Sequence, residues 1–441
     1  MAMVVKNNMS AVNTLNILNR NQSALAKSLQ KVSSGMKIND AGDDASGYAI
    51  SERMRVQIRS LDQDNQNTQN GNSMMKTAEG AVASTVEILK TLKEKAINAA
   101  NDTNTDEDRR TIQKEINQMV DQIDDNALAT YNGKYLVDGS RNSIGTATCT
   151  TLTNNALSTA SAWTSKLTKL QSRQNESLNI QSTDNVTISY VRQGRTYTTT
   201  FSVGSLGLSD IITANAYNGT ESYAGTDLVG GTTAGAWIGL DKAGNSVYTA
   251  DNKTALSINA AGAGTTYQIS AFTIGITDNT GALRKTANTA LDGFNERIRA
   301  ENKSEDNALV LQTGVKANQA IKVSMTDMRS LALGMKGTDG SVISVQTQDK
   351  ANAAINSIDS ALQKALDEQA NIGAVQTRLR YTASNLTTQS ENVQNSESTI
   401  RDADMAKEMT EYTKNNVLLQ AAQSMLAQAN QNSSAVLSLL R

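Results

Sequence analysis

Proline and histidine are absent from all 441 positions, cysteine occurs once, and aromatic residues make up 4% of the chain. Each scarcity excludes something. A chain of this length with average usage carries about 20 prolines; without any, the commonest helix breaker is missing and long helices can run uninterrupted. Without histidine there is no Ser-His-Asp triad, no HExxH zinc site and no imidazole general base. The lone Cys149 has no internal disulfide partner and reads as a small hydrophobe. With 38% hydrophobic residues but few rings, any core is aliphatic and lined by alanine. Forty-one basic against 43 acidic residues give a formal charge of −2, which argues against a nucleic-acid binder. No apolar run reaches the ~18 residues needed to span a membrane. The start, MAMVVKNN, lacks the apolar stretch of a secretory signal. The expectation is a chain that stays in the cytoplasm or leaves by a route needing no cleaved signal, with no cofactor and no bound metal.

What is present is helical periodicity at both ends. Val5, Met9, Val12, Leu15, Leu18, Leu25, Leu29, Val32 and Met36 recur at steps of three, four and seven, and the helix is predicted to stop near Ser33-Ser34-Gly35. The C-terminal stripe runs through Ile372, Val375, Leu379, Leu386, Val393 and Ile400. It continues, with a phase shift, through Met405, Met409, Tyr412, Leu419, Leu426, Val436 and Leu440. Each stripe is narrow and flanked by Asn, Gln, Ser and Thr. Neither helix is stable alone in water, so each is the natural partner of the other.

Between them, SSGMKINDAGDDASGYAISER at 33–53 is a turn-rich loop. Its aspartates miss the EF-hand register, because Gly42 stands where a third-position ligand belongs; Asx turns and a helix N-cap explain them better. Met75, Val82, Leu89 and Ala96, seven apart, mark a long helix, and Ile112, Ile116, Met119 and Ile123 a shorter one, which ends at the Tyr131-Asn132-Gly133-Lys134 turn. From about 140 to 307 the chain turns rich in Thr, Ser, Gly and Asn. Val186–Tyr190 and Tyr197–Val203 alternate about Gln193-Gly194 as a hairpin; Tyr267, Ile269 and Ala271 read as another strand. Both tryptophans and all three phenylalanines lie here, which predicts a separate small core. Leu309, Leu311, Ile321, Val323 and Met325 form a second hairpin about Lys316-Ala317-Asn318, and helix resumes at Ala351.

SSGMKINDAGDDASGYAIS at 33–51, with RDADMAKEMTEYTKNN and LLQAAQSMLAQANQNSSAVLSLLR towards 441, resembles the two terminal signatures of bacterial flagellin over roughly 1–140 and 306–441. The resemblance implies a mainly α fold with a β-rich insert. Its divisions are a terminal coiled-coil segment at 1–45, the first part of a helical rod at 46–140, and a variable, surface-exposed, mostly β insert at 141–305. A hairpin with the rest of the rod follows at 306–400, and the second coiled-coil segment at 401–441. It implies an extracellular filament subunit for swimming, which polymerises with copies of itself and leaves through the flagellar type III export apparatus. Partners implied are an export chaperone, the hook–filament junction and cap proteins, but no nucleic acid. By carry-over, the stripes at both ends, Val5 to Val32 and Met405 to Leu440, pack the filament core. The chaperone faces Leu418, Leu419, Met425, Leu426, Leu437 and Leu440.

Some flagellins are bound by a Toll-like receptor through a Gln-Arg-Val-Arg-Glu-Leu-Ala-Val run. Lys90 to Ile97 align with it here, with Thr91 in place of an arginine and Lys95 in place of a leucine. Thr91, Leu92, Lys93, Glu94 and Ile97, with Ile112 and Glu115 from a second patch, are the candidate receptor-facing residues. Recognition is expected to be weakened, because threonine cannot imitate the planar arginine fork; a purely structural role for these residues is the alternative. An enzymatic insert is a rival reading, but neither GxSxG nor a P-loop pattern occurs, so the chain is expected to be no enzyme. A flagellar junction protein sharing these termini and a free coiled-coil adhesin are the others; the full LAQANQNSSAVLSLLR ending favours the bulk subunit.

Overall fold

The computed structural model describes residues 8–213, 216–217, 222–223, 227–233 and 235–439, with the backbone alone at 216–217, 222–223 and 432–439. The chain divides into two compact units: Met1–Thr68 with Gln312–Gln319 and Tyr381–Arg441, and Gln69–Leu311 with Ala320–Arg380. Two long helices, α2 and α6 below, contribute residues to both.

In the first unit α1 spans Met9–Ser34. Asn8 caps it by accepting from the Ala11 N–H, and Gly35, at φ 71°, ends it by donating to the Lys31 carbonyl. The following loop is held by its own aspartates. Asp40 accepts from the Gly42 N–H, and Asp44 accepts from those of Ser46 and Gly47, capping α2 (Ala45–Ala99). The aspartates serve as turn and cap residues, for which their short polar side chains are suited.

In the second unit the rest of α2 packs with α3 (Asp106–Ala127). Thr105 and Asp108 make a reciprocal capping box at the start of α3, and the buried Arg109 donates to the carbonyls of Ala99 and Asn101, closing the end of α2. Asn132 and Gly133, both at positive φ, turn the chain between β1 (Thr130–Tyr131) and β2 (Lys134–Tyr135).

The insert follows. β3 (Thr151–Asn154) precedes the hairpin of β4 (Asn185–Arg192) and β5 (Arg195–Ser202), then α4 (Leu208–Thr213), β6 (Ala216–Tyr217) and β7 (Ser222–Tyr223). Next come β8 (Leu228–Thr232), β9 (Trp237–Leu240), β10 (Ser246–Tyr248), β11 (Leu256–Ala260), β12 (Ile269–Thr277), α5 (Lys285–Leu291) and β13 (Phe294–Ile298). Two principal antiparallel sheets result, ordered β12-β4-β5-β6-β7 and β13-β3-β11-β8. Gln193 and Gly194 turn the β4–β5 hairpin at positive φ, and a Cβ at Gly194 would run into the carbonyl oxygen of Ser341, so only glycine fits. β14 (Leu309–Gln312) and β15 (Ala320–Val323) make a further hairpin, and α6 (Gln348–Arg401) and α7 (Met405–Leu439) complete the chain.

The second unit has two cores. Met75, Val82, Leu89 and Ala96, the predicted heptad, are fully buried with Ile116, Val120 and Ile123 of α3 and with Ile358, Ala365, Ile372 and Leu379 of α6. The insert has its own core around Trp163, Ile188, Tyr197, Ile258, Phe272 and Ile274. Two expectations need correction. Tyr267 is not in the strand: it ends a short 3-10 turn, Thr265–Tyr267, before β12. Trp237 is not in the insert core: on β9 it stands exposed opposite Tyr248, because a two-stranded ribbon covers one face at most.

Candidate assembly interface

α1 and α7 lie antiparallel along their lengths. The Asn8 amide donates to the Ala429 carbonyl at 3.2 Å, Asn21 to the Leu418 carbonyl at 3.2 Å, and Asn415 to Ser28 Oγ at 3.0 Å, while Lys31 faces Glu408. Half-buried or buried residues recur on α1 at Ala11, Thr14, Leu18, Asn21, Leu25, Ser28 and Val32. On α7 they recur at Glu408, Tyr412, Asn415, Leu419, Ala422, Leu426 and Ala429. Both series alternate steps of three and four, the 3.5-residue period of a coiled coil. Much of this seam is small or polar. Asn21 and Asn415 lock its register, as a polar residue in such a seam does, at a cost in stability.

The larger apolar residues lie elsewhere. Met9, Val12, Leu15, Ile17 and Leu29 of α1 and Met405, Met409, Val417, Leu418 and Met425 of α7 are exposed, with Met9 at 70% and Met425 at 62%. A shallow groove of about 580 Å³ runs along α7 between Met409, Thr413, Val417 and Leu418. What the sequence presents as one stripe per helix is thus two faces. Leu18, Leu25, Val32, Tyr412, Leu419 and Leu426 belong to the intramolecular seam; Met9, Val12, Leu15, Leu29, Met405 and Met409 do not, and face outward. Val5 and Leu440, and the side chains of Val436 and Leu437, lie outside the described residues. Ile17 and Val417 are the outward residues that periodicity missed: each falls off the three-four spacing, and only the rotation of one helix against the other shows where it points. A helix with apolar residues on two sides has two partners to satisfy.

The α6–α7 break is held by Arg401, the first residue of the RDAD motif. It is buried against the Tyr48 ring and donates to Ser51 Oγ at 2.9 Å and Glu52 Oε1 at 2.6 Å. The Lys37 N–H donates to its carbonyl at 2.7 Å. Its hydrogen bond holds the Glu52 carboxyl below the usual carboxylate range. Met36 bridges to Asp402, and the Ala403 N–H donates to the Gly35 carbonyl. The end of α1 and the start of α7 are therefore fixed to one another. The RDAD and SSGM motifs supply these contacts.

The receptor-facing set is split. Lys93 and Glu115 are bound within the subunit, Lys93 to Asp359 and Glu115 to Lys95, each at 2.6 Å. Thr91 is half-buried and donates to the Glu87 carbonyl; Glu94 and Ile97 are exposed. Leu92 is 0% exposed and Ile112 packs against the same core. Leu92 is a correction: four residues before Ala96 and three after Leu89, it belongs to the inward face of α2 and presents nothing to a partner.

Comparison with known proteins agrees with this architecture. The bacterial flagellin N-terminal helical region matches residues 5–142, and the bacterial flagellin C-terminal helical region matches 355–440. A flagellin from Clostridium tyrobutyricum is 35% identical over 97% of this chain and 99% of its own length, and a flagellin from Bacillus subtilis is 30% identical over the whole of both. The flagellar filament 33 kDa core protein of Treponema phagedenis is 29% identical over the same extent. Among solved structures, FliC from Burkholderia pseudomallei aligns over 70% of this chain at 18% identity with a TM-score of 0.26, too low to bear on the fold. Paired terminal helices, a β-rich middle and full-length identity to flagellins agree: this chain belongs to the bacterial flagellin family and is a structural subunit of the flagellar filament.

Proposed function

We propose that the outward apolar face of the α1–α7 pair is the contact through which one subunit meets the next. As a flagellin the chain is secreted, self-assembles and contributes to the extracellular filament that drives swimming. The observation that carries the reading is the exposure of ten large apolar side chains, shared between both helices of one pair. Fully burying a side chain of this size stabilises by roughly 1.5–3 kcal/mol. Covering ten that are each already about half buried is therefore worth on the order of 10 kcal/mol per subunit before the cost of association. The intramolecular seam, rich in Asn, Ser, Thr and Ala, contributes far less, so the pair gains most of its stability on assembly. Head-to-tail repetition of such a contact without ring closure gives a helical polymer.

In this reading 1–45 and 401–441 form the inner layer, 46–140 and 306–400 the helical layer around it, and 141–305 the displayed part. The export chaperone takes α7 through Leu418 and Met425, which face outward, and Leu419 and Leu426, which face α1. One partner can take both faces only when α1 has left, so chaperone and α1 compete for α7. Export uses the flagellar type III apparatus. Junction and cap proteins meet the same outward face at the filament ends. Toll-like receptor recognition is weak here, since Thr91 replaces an arginine and Leu92 is withdrawn into the core. No enzymatic role accompanies these contacts.

Deleting 405–441 tests the assignment. The truncated chain should remain folded around the second unit, by circular dichroism, and form no filaments in negative-stain micrographs. Filaments from the truncated chain would overturn it.

A further inference from the structure

A cleft of about 940 Å³ opens between the insert and α6. One wall is α6, which presents Asn356, Asp359, Gln363 and Asp367 on one face; the eleven steps from Asn356 to Asp367, at 1.5 Å each, make that wall about 16 Å long. The other is β13 with the turns around it. Six carboxylates line the cleft, Asp241, Asp292, Glu296, Glu301, Asp359 and Asp367, against three bases, Lys242, Arg297 and Arg299.

Internal pairing does not neutralise this excess. Lys242 takes Glu301 at 2.6 Å and Arg299 takes Asp367 at 2.7 Å. Asp359 is met by Lys93 from α2, and Asp241 is occupied by the backbone and side chain of Asn245. Asp292 accepts from the Asn356 amide at 3.5 Å and from the Ile274 N–H, and has no cation paired with it among the described residues. Glu296 is the sharper case. Its side chain is only 10% exposed, its nearest cation is Arg299 at 3.8 Å, and its Oε1 is buried without a hydrogen-bond partner. A carboxylate oxygen withdrawn from water and left unpartnered in a cleft wall is costly unless something supplies the missing donor.

The donor must be cationic and must reach carboxylates spread along the cleft. Among the described residues no three carboxylates converge to hold a metal ion, so a single inorganic ion does not fit. A chain of ammonium groups separated by methylenes does, with its methylenes against Phe272 and Phe294 in the same walls. We propose that this cleft binds a linear organic di- or triamine, one ammonium held by Glu296 and another by Asp292. Burial raises Glu296 to about 7, with Glu301 adding to the effect and Arg299 and Lys364 opposing it. Amine binding favours its ionised form, so the complex weakens as pH falls below neutrality and binding near pH 7 releases protons.

Isothermal titration of the full-length chain with spermidine at pH 7.5 tests this. Saturable binding near one per chain is expected, weakened at least tenfold by Glu296→Gln and by Asp292→Asn, and unchanged by Glu107→Gln on the exposed start of α3. Circular dichroism melts of the same samples establish that the variants are folded; should Glu296→Gln melt early, the Asp292→Asn titration decides. Spermidine should exceed n-butylamine, and affinity should fall between pH 8 and pH 6. Absence of saturable binding, equal loss with Glu107→Gln, or equal occupancy by magnesium alone would overturn the proposal. So would displacement of spermidine by a second copy of the chain on filament formation, which would make the cleft a subunit contact.

Discussion

Met425 and Leu426 are neighbours in α7 and should fail in opposite ways. Met425 is 62% exposed in the subunit, whereas Leu426 is half-buried in the seam with α1. Truncating Met425 to alanine therefore removes little from the free subunit, and its stability should stay within about ±0.5 kcal/mol. In the filament the missing burial is the exposed share of a full methionine, about 1–2 kcal/mol. A tenfold change in equilibrium corresponds to about 1.4 kcal/mol, so Met425→Ala should raise the critical concentration for assembly by about 5- to 30-fold. Met425→Asp goes further, because its carboxylate would be buried without a partner, costing several kcal/mol more; no filaments should form where the wild type polymerises fully. Leu426→Ala should instead loosen the α1–α7 pair in the free subunit and lower its helical content. Seeded sedimentation gives the critical concentration and far-ultraviolet circular dichroism gives helicity. Met425→Asp polymerising at the wild-type critical concentration would refute the placing of that face between subunits.

Three further outcomes are expected. Gln113 of α3 is buried, donating to the Ile343 carbonyl at 2.9 Å and accepting from the Val345 N–H at 2.7 Å; Gln113→Leu strands both backbone groups and should cost about 2–4 kcal/mol in urea unfolding. Glu296 has a folded pKa of about 7, above its ordinary 4.5, with Arg299, Lys364 and Glu301 facing it. The stability it contributes is complete below pH 4.5 and lost as pH rises through 7, so the unfolding midpoint should fall between pH 5 and pH 8, and Glu296→Gln should flatten that dependence. Thr91→Arg should raise Toll-like receptor activation in a reporter assay, and no gain would dismiss the receptor alignment.

Much of the fold was legible because helical and strand periods differ. The seven-residue spacing of Met75, Val82, Leu89 and Ala96 predicted one buried face, and all four are fully buried. Gln193-Gly194 predicted the hairpin turn and Gly35 the end of α1. Periodicity gives the direction of a residue relative to its own helix, and no more. It could not separate Leu18 from Leu15, both on the α1 stripe, because which one meets α7 depends on where α7 lies. Nor could it place Leu92, whose receptor alignment and whose inward heptad position made opposite demands. Arg401 carries no periodic signal at all. Its role comes from Tyr48, Ser51 and Glu52, some 350 positions away in sequence, arriving beside it.

The sequence by itself determined the long uninterrupted helices, the β-rich insert and the terminal motifs, since propensity, period and turn chemistry act over a few residues at a time. Only the tertiary structure decided which apolar residues close the α1–α7 seam and which remain for another subunit. It alone left Glu296 Oε1 buried without a donor. Burial is a property of surfaces that meet, and residues far apart in the chain meet only once it has folded.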